Sequence, residues 1–122
     1  MLVTGAFLAI FIGVVHSFLG ERFILIPLFK GELPKLLGSD WFTKRVLRFA
    51  WHLTTVAWWG FAGILFILSS PGEHIQKQIL MVIGVVFLVS GLLSALFTKG
   101  KHISWITFWL ISGLSFYVAQ SS

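Results

Sequence analysis

Four long apolar runs, at residues 2–19, 46–68, 79–97 and 103–119, constrain this chain more than any other feature. Each is close to the roughly 20 residues that carry a helix across a ~30 Å hydrocarbon layer. Backbone groups inside a bilayer find no water to pair with, so such runs must be helical. A chain of 122 residues that is 57% hydrophobic and 11% charged cannot hide that surface in a soluble core. The expected fold is an all-α, integral-membrane four-helix bundle. It is an up-down arrangement with residues 1–122 forming a single transmembrane domain. The first run lacks a basic leader, the first Lys or Arg being Arg22, and it reads as a retained helix rather than a signal peptide. Cysteine is absent, which excludes disulfides and thiolate metal sites.

The net charge of +5 is distributed unevenly. Arg22, Lys30, Lys35, Lys44, Arg45 and Arg48 lie in or beside the first connection, Lys99 and Lys101 lie in the third, and Lys77 alone belongs to the second. The positive-inside rule assigns the first and third connections to the cytoplasm and both termini to the other side. Topology and attraction to an anionic cytoplasmic leaflet account for the basicity, so nucleic acid is not an expected partner. An asymmetry this strong makes any homo-oligomer parallel.

Along the chain, Gly5, Ala9, Gly13 and Ser17 form a four-residue seam suited to close helix packing. Residues 23–43 read as an interfacial segment, or as helix one continued past a kink at Pro27. Pro34 and Gly38 are expected to bound a short helix there, with Ser39 or Asp40 capping the next one. Ser70-x-x-Glu73 with Pro71 reads as a capping box opening the third helix. Gly84, Gly91 and Ala95, and then Ser104, Ser112, Ser115 and Ala119, are further packing stripes.

The functional groups concentrate at the start of the second run. Arg48, His52, Thr55 and Trp59 share a helix face at 3.6 residues per turn, with Trp51 and Trp58 beside them. An arginine and a histidine in such a helix are costly and face protein or a water-filled cavity. The charge-derived topology puts His16, His102 and Glu21 at the same end. Glu21 either pairs with Arg22 at the boundary or turns inward to Arg48 or a histidine. Three readings compete. His16, His52 and His102 are candidate ligands for a metal ion or haem. Arg48 and His52 beneath tryptophans are candidates to hold an anionic or quinone-like ligand. In the third reading each histidine bonds a neighbouring helix and Arg48 snorkels to the interface. Phosphate loops, nucleophile elbows and zinc-protease motifs are absent, so enzyme activity is expected only if a bound cofactor or a histidine proton relay supplies the chemistry.

Val15-His16-Ser17-Phe18-Leu19-Gly20-Glu21-Arg22 and the stretch from Arg48 to Trp59 resemble a group of small bacterial inner-membrane proteins. The resemblance implies a four-helix form and the bacterial inner membrane, with no activity attached. The expected function is binding or movement of a small ligand, ion or proton. The site would comprise His16, Glu21, Arg48, Trp51, His52, Thr55, Trp59 and His102. The alternative is a non-catalytic subunit or assembly partner of a larger membrane complex.

Overall fold

The computed structural model describes residues 1–121 and is all-helical. Helix α1 spans Leu2–Leu28, α2 Trp41–Ser69, α3 Ile75–Thr98 and α4 Ser104–Gln120. The first three are long and apolar enough to cross a membrane. At 17 residues, α4 is about 26 Å long and falls short of a full hydrocarbon layer.

Helix one is longer than the apolar run alone suggests. It passes through Gly20, widens into a π-helical turn over Gly20–Leu25, and closes with Ile26–Leu28. In that turn the Ile26 amide donates to the Glu21 carbonyl, five residues back. Pro27 explains the widening, because its ring would crowd the carbonyl of residue 23 in α-helical geometry. Residues 23–28 therefore continue the helix past Pro27, residues 41–43 already belong to α2, and only 29–40 form a connection. Helix α2 starts five residues before the expected 46, and α3 four before the expected 79.

Two expected devices are replaced by others. No helix joins Pro34 to Gly38; a tight turn closes there instead, with the Leu36 amide donating to the Ser39 carbonyl at 2.9 Å. The capping box is also absent, since α3 begins at Ile75 behind His74 with no side-chain cap. Asp40 stands at the N-cap of α2, but its carboxylate pairs with Lys44 at 3.1 Å rather than capping.

Packing follows chain order: α1 meets α2, α2 meets α3, and α3 meets α4, while α1 and α4 do not touch among the described residues. Neighbours are antiparallel, because Gly5, Gly13 and Gly20 face Leu65, Trp59 and Trp51 in turn. Apart from Leu25 and Phe49 the buried positions are small or hydroxyl-bearing, including Ala6, Gly13, Gly20, Gly60, Gly84, Gly91, Ser94 and Ala119. Phe7, Phe11, Phe61, Phe66, Leu110 and Leu114 point outward. Small residues inside and large apolar ones outside are the arrangement a lipid solvent favours. The exposed area is 7843 Å², against about 6,600 Å² for a compact globular chain of this mass. The molecule is an open row rather than a closed square of helices.

The row consists of two hairpins. Every hydrogen bond between helices joins α1 to α2 or α3 to α4 among the described residues. The α2–α3 joint is apolar, with Gly60 against Val86 and Gly63 against Val82.

Candidate functional site

Polar groups meet where the second half of α1 crosses the first half of α2. The seam residues Gly13 and Ser17 lead to Gly20 and Glu21 on the face turned toward α2. Glu21 lies in the wide turn and reaches two partners at once. Arg48 grips its carboxylate side-on, with Nη2 2.7 Å from Oε1 and Nε donating to Oε2 at 3.2 Å. His52 Nε2 donates to Oε2 at 3.0 Å. Of the two readings for Glu21, the inward one is correct. Arg22 instead lies over the Phe23 ring at 5.9 Å.

His52 extends the network. Its Nδ1 is 2.9 Å from Ser17 Oγ, and that hydroxyl is hydrogen-bonded to Thr55 Oγ1. Thr55 also donates to the Gly13 carbonyl at 3.3 Å. Polar contact therefore runs unbroken from Arg48 through Glu21, His52, Ser17 and Thr55 to the backbone of α1. The Glu21, Arg48 and His52 side chains are 31%, 30% and 23% exposed, so the site opens at one flank of the hairpin. The Phe29 ring, near the end of α1, lies 4.9 Å from the Arg48 guanidinium.

With His52 neutral the set is electrostatically balanced. The Arg48 cation and the Glu21 carboxylate cancel, and neutral His52 leaves no net charge. A proton on His52 leaves the set at +1. The Arg48 charge is already paired with a carboxylate through Nε and Nη2, which weakens the reading in which it awaits an anionic ligand.

The remaining expected site residues divide into two groups. Trp51 and Trp59 are structural wedges: Trp51 Nε1 donates to the His16 carbonyl at 2.9 Å, and Trp59 Nε1 to the Ile10 carbonyl at 3.2 Å. The two histidines lie apart from the network. His16 stacks on Trp51 with ring centroids 4.6 Å apart, and its Nε2 donates to the Trp51 carbonyl at 3.2 Å. His102 sits before α4, against Phe49 at 5.2 Å, with Nδ1 2.8 Å from Ser104 Oγ. His16 and His52 share no partner. Among the described residues no three metal-ligating side chains gather, so His16, His52 and His102 form no common ligand set.

A repeated packing device gives the site its contrast. In the first hairpin, Trp51 packs on Gly20, Thr55 bonds the Gly13 carbonyl and Trp59 packs on Gly13. In the second, Trp109 packs on Gly91, Ser112 donates to the Gly84 carbonyl at 2.7 Å and Phe116 packs on Gly84. Trp109 Nε1 donates to the Leu88 carbonyl, as Trp51 does to that of His16. The signal in the sequence is Ile12-Gly13-Val14-Val15 against Ile83-Gly84-Val85-Val86, each followed by a glycine seven residues after its own. Counted from Ser112 and Phe116, the counterparts of Arg48 and His52 are Trp105 and Trp109. Counted from Gly91 and Trp109, the counterparts of Ser17, Glu21, Arg48 and His52 are Leu88, Leu92, Ile106 and Leu110. These last four are exposed apolar side chains. The same hairpin is thus built once with the polar network and once without it.

Comparisons with protein families, with curated proteins and with solved structures find no match to the chain.

Proposed function

We propose that this is a multi-pass protein of a bacterial inner membrane that takes up a proton, or a small ion accompanied by one, at Glu21, Arg48 and His52. The observation that carries this reading is the contrast between the hairpins. An ionic triad that packing required would recur where the packing recurs; here it stands on one hairpin alone, in a helix pair where charge is costly. His52 supports the proton in particular, because both its ring nitrogens are engaged and its protonation changes a neutral triad into a cationic one. The eight-to-one charge distribution supports placing the site toward the cytoplasm, with α4 also crossing and both termini outside.

The test is to give the first hairpin the residues of the second: Glu21→Leu, Arg48→Ile and His52→Leu together. Replacing a partly buried ionic set by apolar side chains is often neutral or stabilising. The triple variant should therefore keep its thermal stability in detergent and lose proton uptake in liposomes loaded with a pH-sensitive dye. Loss of folding in the variant would make the triad structural, and undiminished uptake would remove the function from it.

A second reading, a non-catalytic subunit or a parallel homo-oligomer, is favoured by the open row, in which α1 and α4 each have one helical neighbour. Native mass measurement from lipid nanodiscs distinguishes them: a monomer that carries proton flux excludes the subunit reading.

A further inference from the structure

The basic end of the molecule holds a second polar cavity, separate from the Glu21 site. Trp41 opens α2, and three cations converge on its indole. The Arg45 guanidinium lies 5.6 Å from the ring, Lys99 Nζ 5.6 Å and Lys101 Nζ 5.1 Å. The lysines come from the turn between α3 and α4, whose shape is fixed locally. The Gly100 amide donates to the Ala95 carbonyl at 2.8 Å, and Lys99 and Gly100 take left-handed backbone conformations with φ of 53° and 77°. Opposite them is the Leu36–Ser39 turn, with Leu37 at φ 56° and Gly38 at φ 92°. A left-handed leucine is unusual, and its side chain is exposed beside that of Leu36 at the lip. The cavity is open to one side, has a volume of about 270 Å³ and is lined by Leu36, Leu37, Ser39, Trp41, Lys99 and Lys101, with Arg45 on the same indole but outside the lining.

The charges gathered on the Trp41 ring are uncompensated. Ion pairs among the described residues engage Lys44, Arg48 and His52, and no carboxylate lies within 4 Å of Arg45, Lys99 or Lys101. An aromatic face attracts cations but does not neutralise them. Three like charges drawn to one ring repel one another, and an anion among them removes that repulsion. Donors are also free. Ser39 Oγ accepts from the Trp41 amide at 3.2 Å, which leaves its hydroxyl hydrogen to donate, and the Trp41 indole N–H has no partner among the described residues.

We infer that this cavity binds a phosphate group. Several acceptor oxygens and up to two negative charges match the two lining lysines, with Arg45 on the same ring and hydroxyl and indole donors beside them, better than a single carboxylate does. The exposed leucines at the lip suit a phospholipid headgroup approached from the bilayer interface; a free phosphate ion offers the same chemistry from solution. The inference uses none of the Glu21 site.

The experiment measures retained ligand on the whole protein. Phosphatidylglycerol is counted by native mass spectrometry after reconstitution in mixed phosphatidylcholine–phosphatidylglycerol nanodiscs. Inorganic phosphate is titrated separately in detergent. The test variant is Lys99→Asn with Lys101→Gln, because asparagine tolerates the left-handed backbone at position 99 and preserves the turn. Lys30→Gln with Lys35→Gln removes the same charge at the same end, outside the cavity. The wild type and the Lys30/Lys35 variant should retain one tightly held phosphatidylglycerol. The Lys99/Lys101 variant should bind it at least about ten-fold more weakly, the loss expected for charge-assisted hydrogen bonds. Saturable binding of inorganic phosphate with the same sensitivity identifies a free phosphate as ligand; its absence alongside retained lipid identifies the headgroup. Equal losses in the two double variants, or no stoichiometric binding of either probe, overturn the inference.

Discussion

Glu21 is the residue on which the site depends, since both Arg48 and His52 are held by its one carboxylate. Removing Arg48 leaves that carboxylate with a histidine alone. Arg48→Ala should cost about 1–3 kcal/mol in unfolding from mixed micelles, less than a fully buried pair would lose because the site is partly open. Arg45→Ala, one turn earlier and outside the triad, should stay within about 0.5 kcal/mol. Arg48→Lys should recover part of the loss, because an ammonium cannot reproduce the two-pronged contact with Oε1 and Oε2. Equal tolerance of both alanine variants would return Arg48 to the role of an interfacial anchor. The stripe of Arg48, His52, Thr55 and Trp59 was legible in the sequence because helical periodicity alone decides which residues share a face. The separation of His16 and His102 from it was not. Which edge of a seam a side chain takes depends on how two helices cross, and periodicity within one helix carries no information about that.

At the scale of elements, the stops were harder to read than the spans. Gly20-Glu21-Arg22 looks like a helix exit by composition, yet the chain continues to Leu28 through a wider turn that accommodates Pro27. The glycines mattered more than their placement in packing stripes suggested. A Cβ at Gly20 would collide with the Trp51 indole, and one at Gly91 with Trp109. Gly20→Ala and Gly91→Ala should each destabilise by about 1–3 kcal/mol, as overpacking does. Gly113, with no heavy atom within 4 Å of a built Cβ, should gain up to about 1 kcal/mol as alanine. Thermal unfolding of the three variants in one detergent checks the contrast. A neutral Gly20→Ala would mean that the Trp51 wedge yields freely.

For the whole molecule, charge asymmetry and hydropathy made the helical class and the membrane environment plain. The duplication of one hairpin device stayed hidden, because Trp51 and Trp109 are matched by what they pack on rather than by their neighbours in sequence. The proposed orientation has its own check. Periplasm-active and cytoplasm-active reporters fused at Lys99 and at the C-terminus should report opposite compartments, with the C-terminus outside. A cytoplasmic C-terminus would reverse the orientation and move the Glu21 site to the other half of the membrane.

The joint between the hairpins has a mechanical meaning. Within each hairpin, hydroxyls and indoles are bonded to the partner's backbone, so sliding one helix along the other breaks directional bonds. Between α2 and α3 there are glycines and valines and no hydrogen bond among the described residues. Surrounding lipid replaces apolar contacts of that kind at little cost. Along its apolar length the joint is therefore a compliant spine between two stiff leaves. It is pinned at the basic end, where Lys99 and Lys101 lie over Trp41 and His102 lies against Phe49. A tilt of one leaf about that end leaves Glu21, Arg48 and His52 in register, because all three ride on the same leaf.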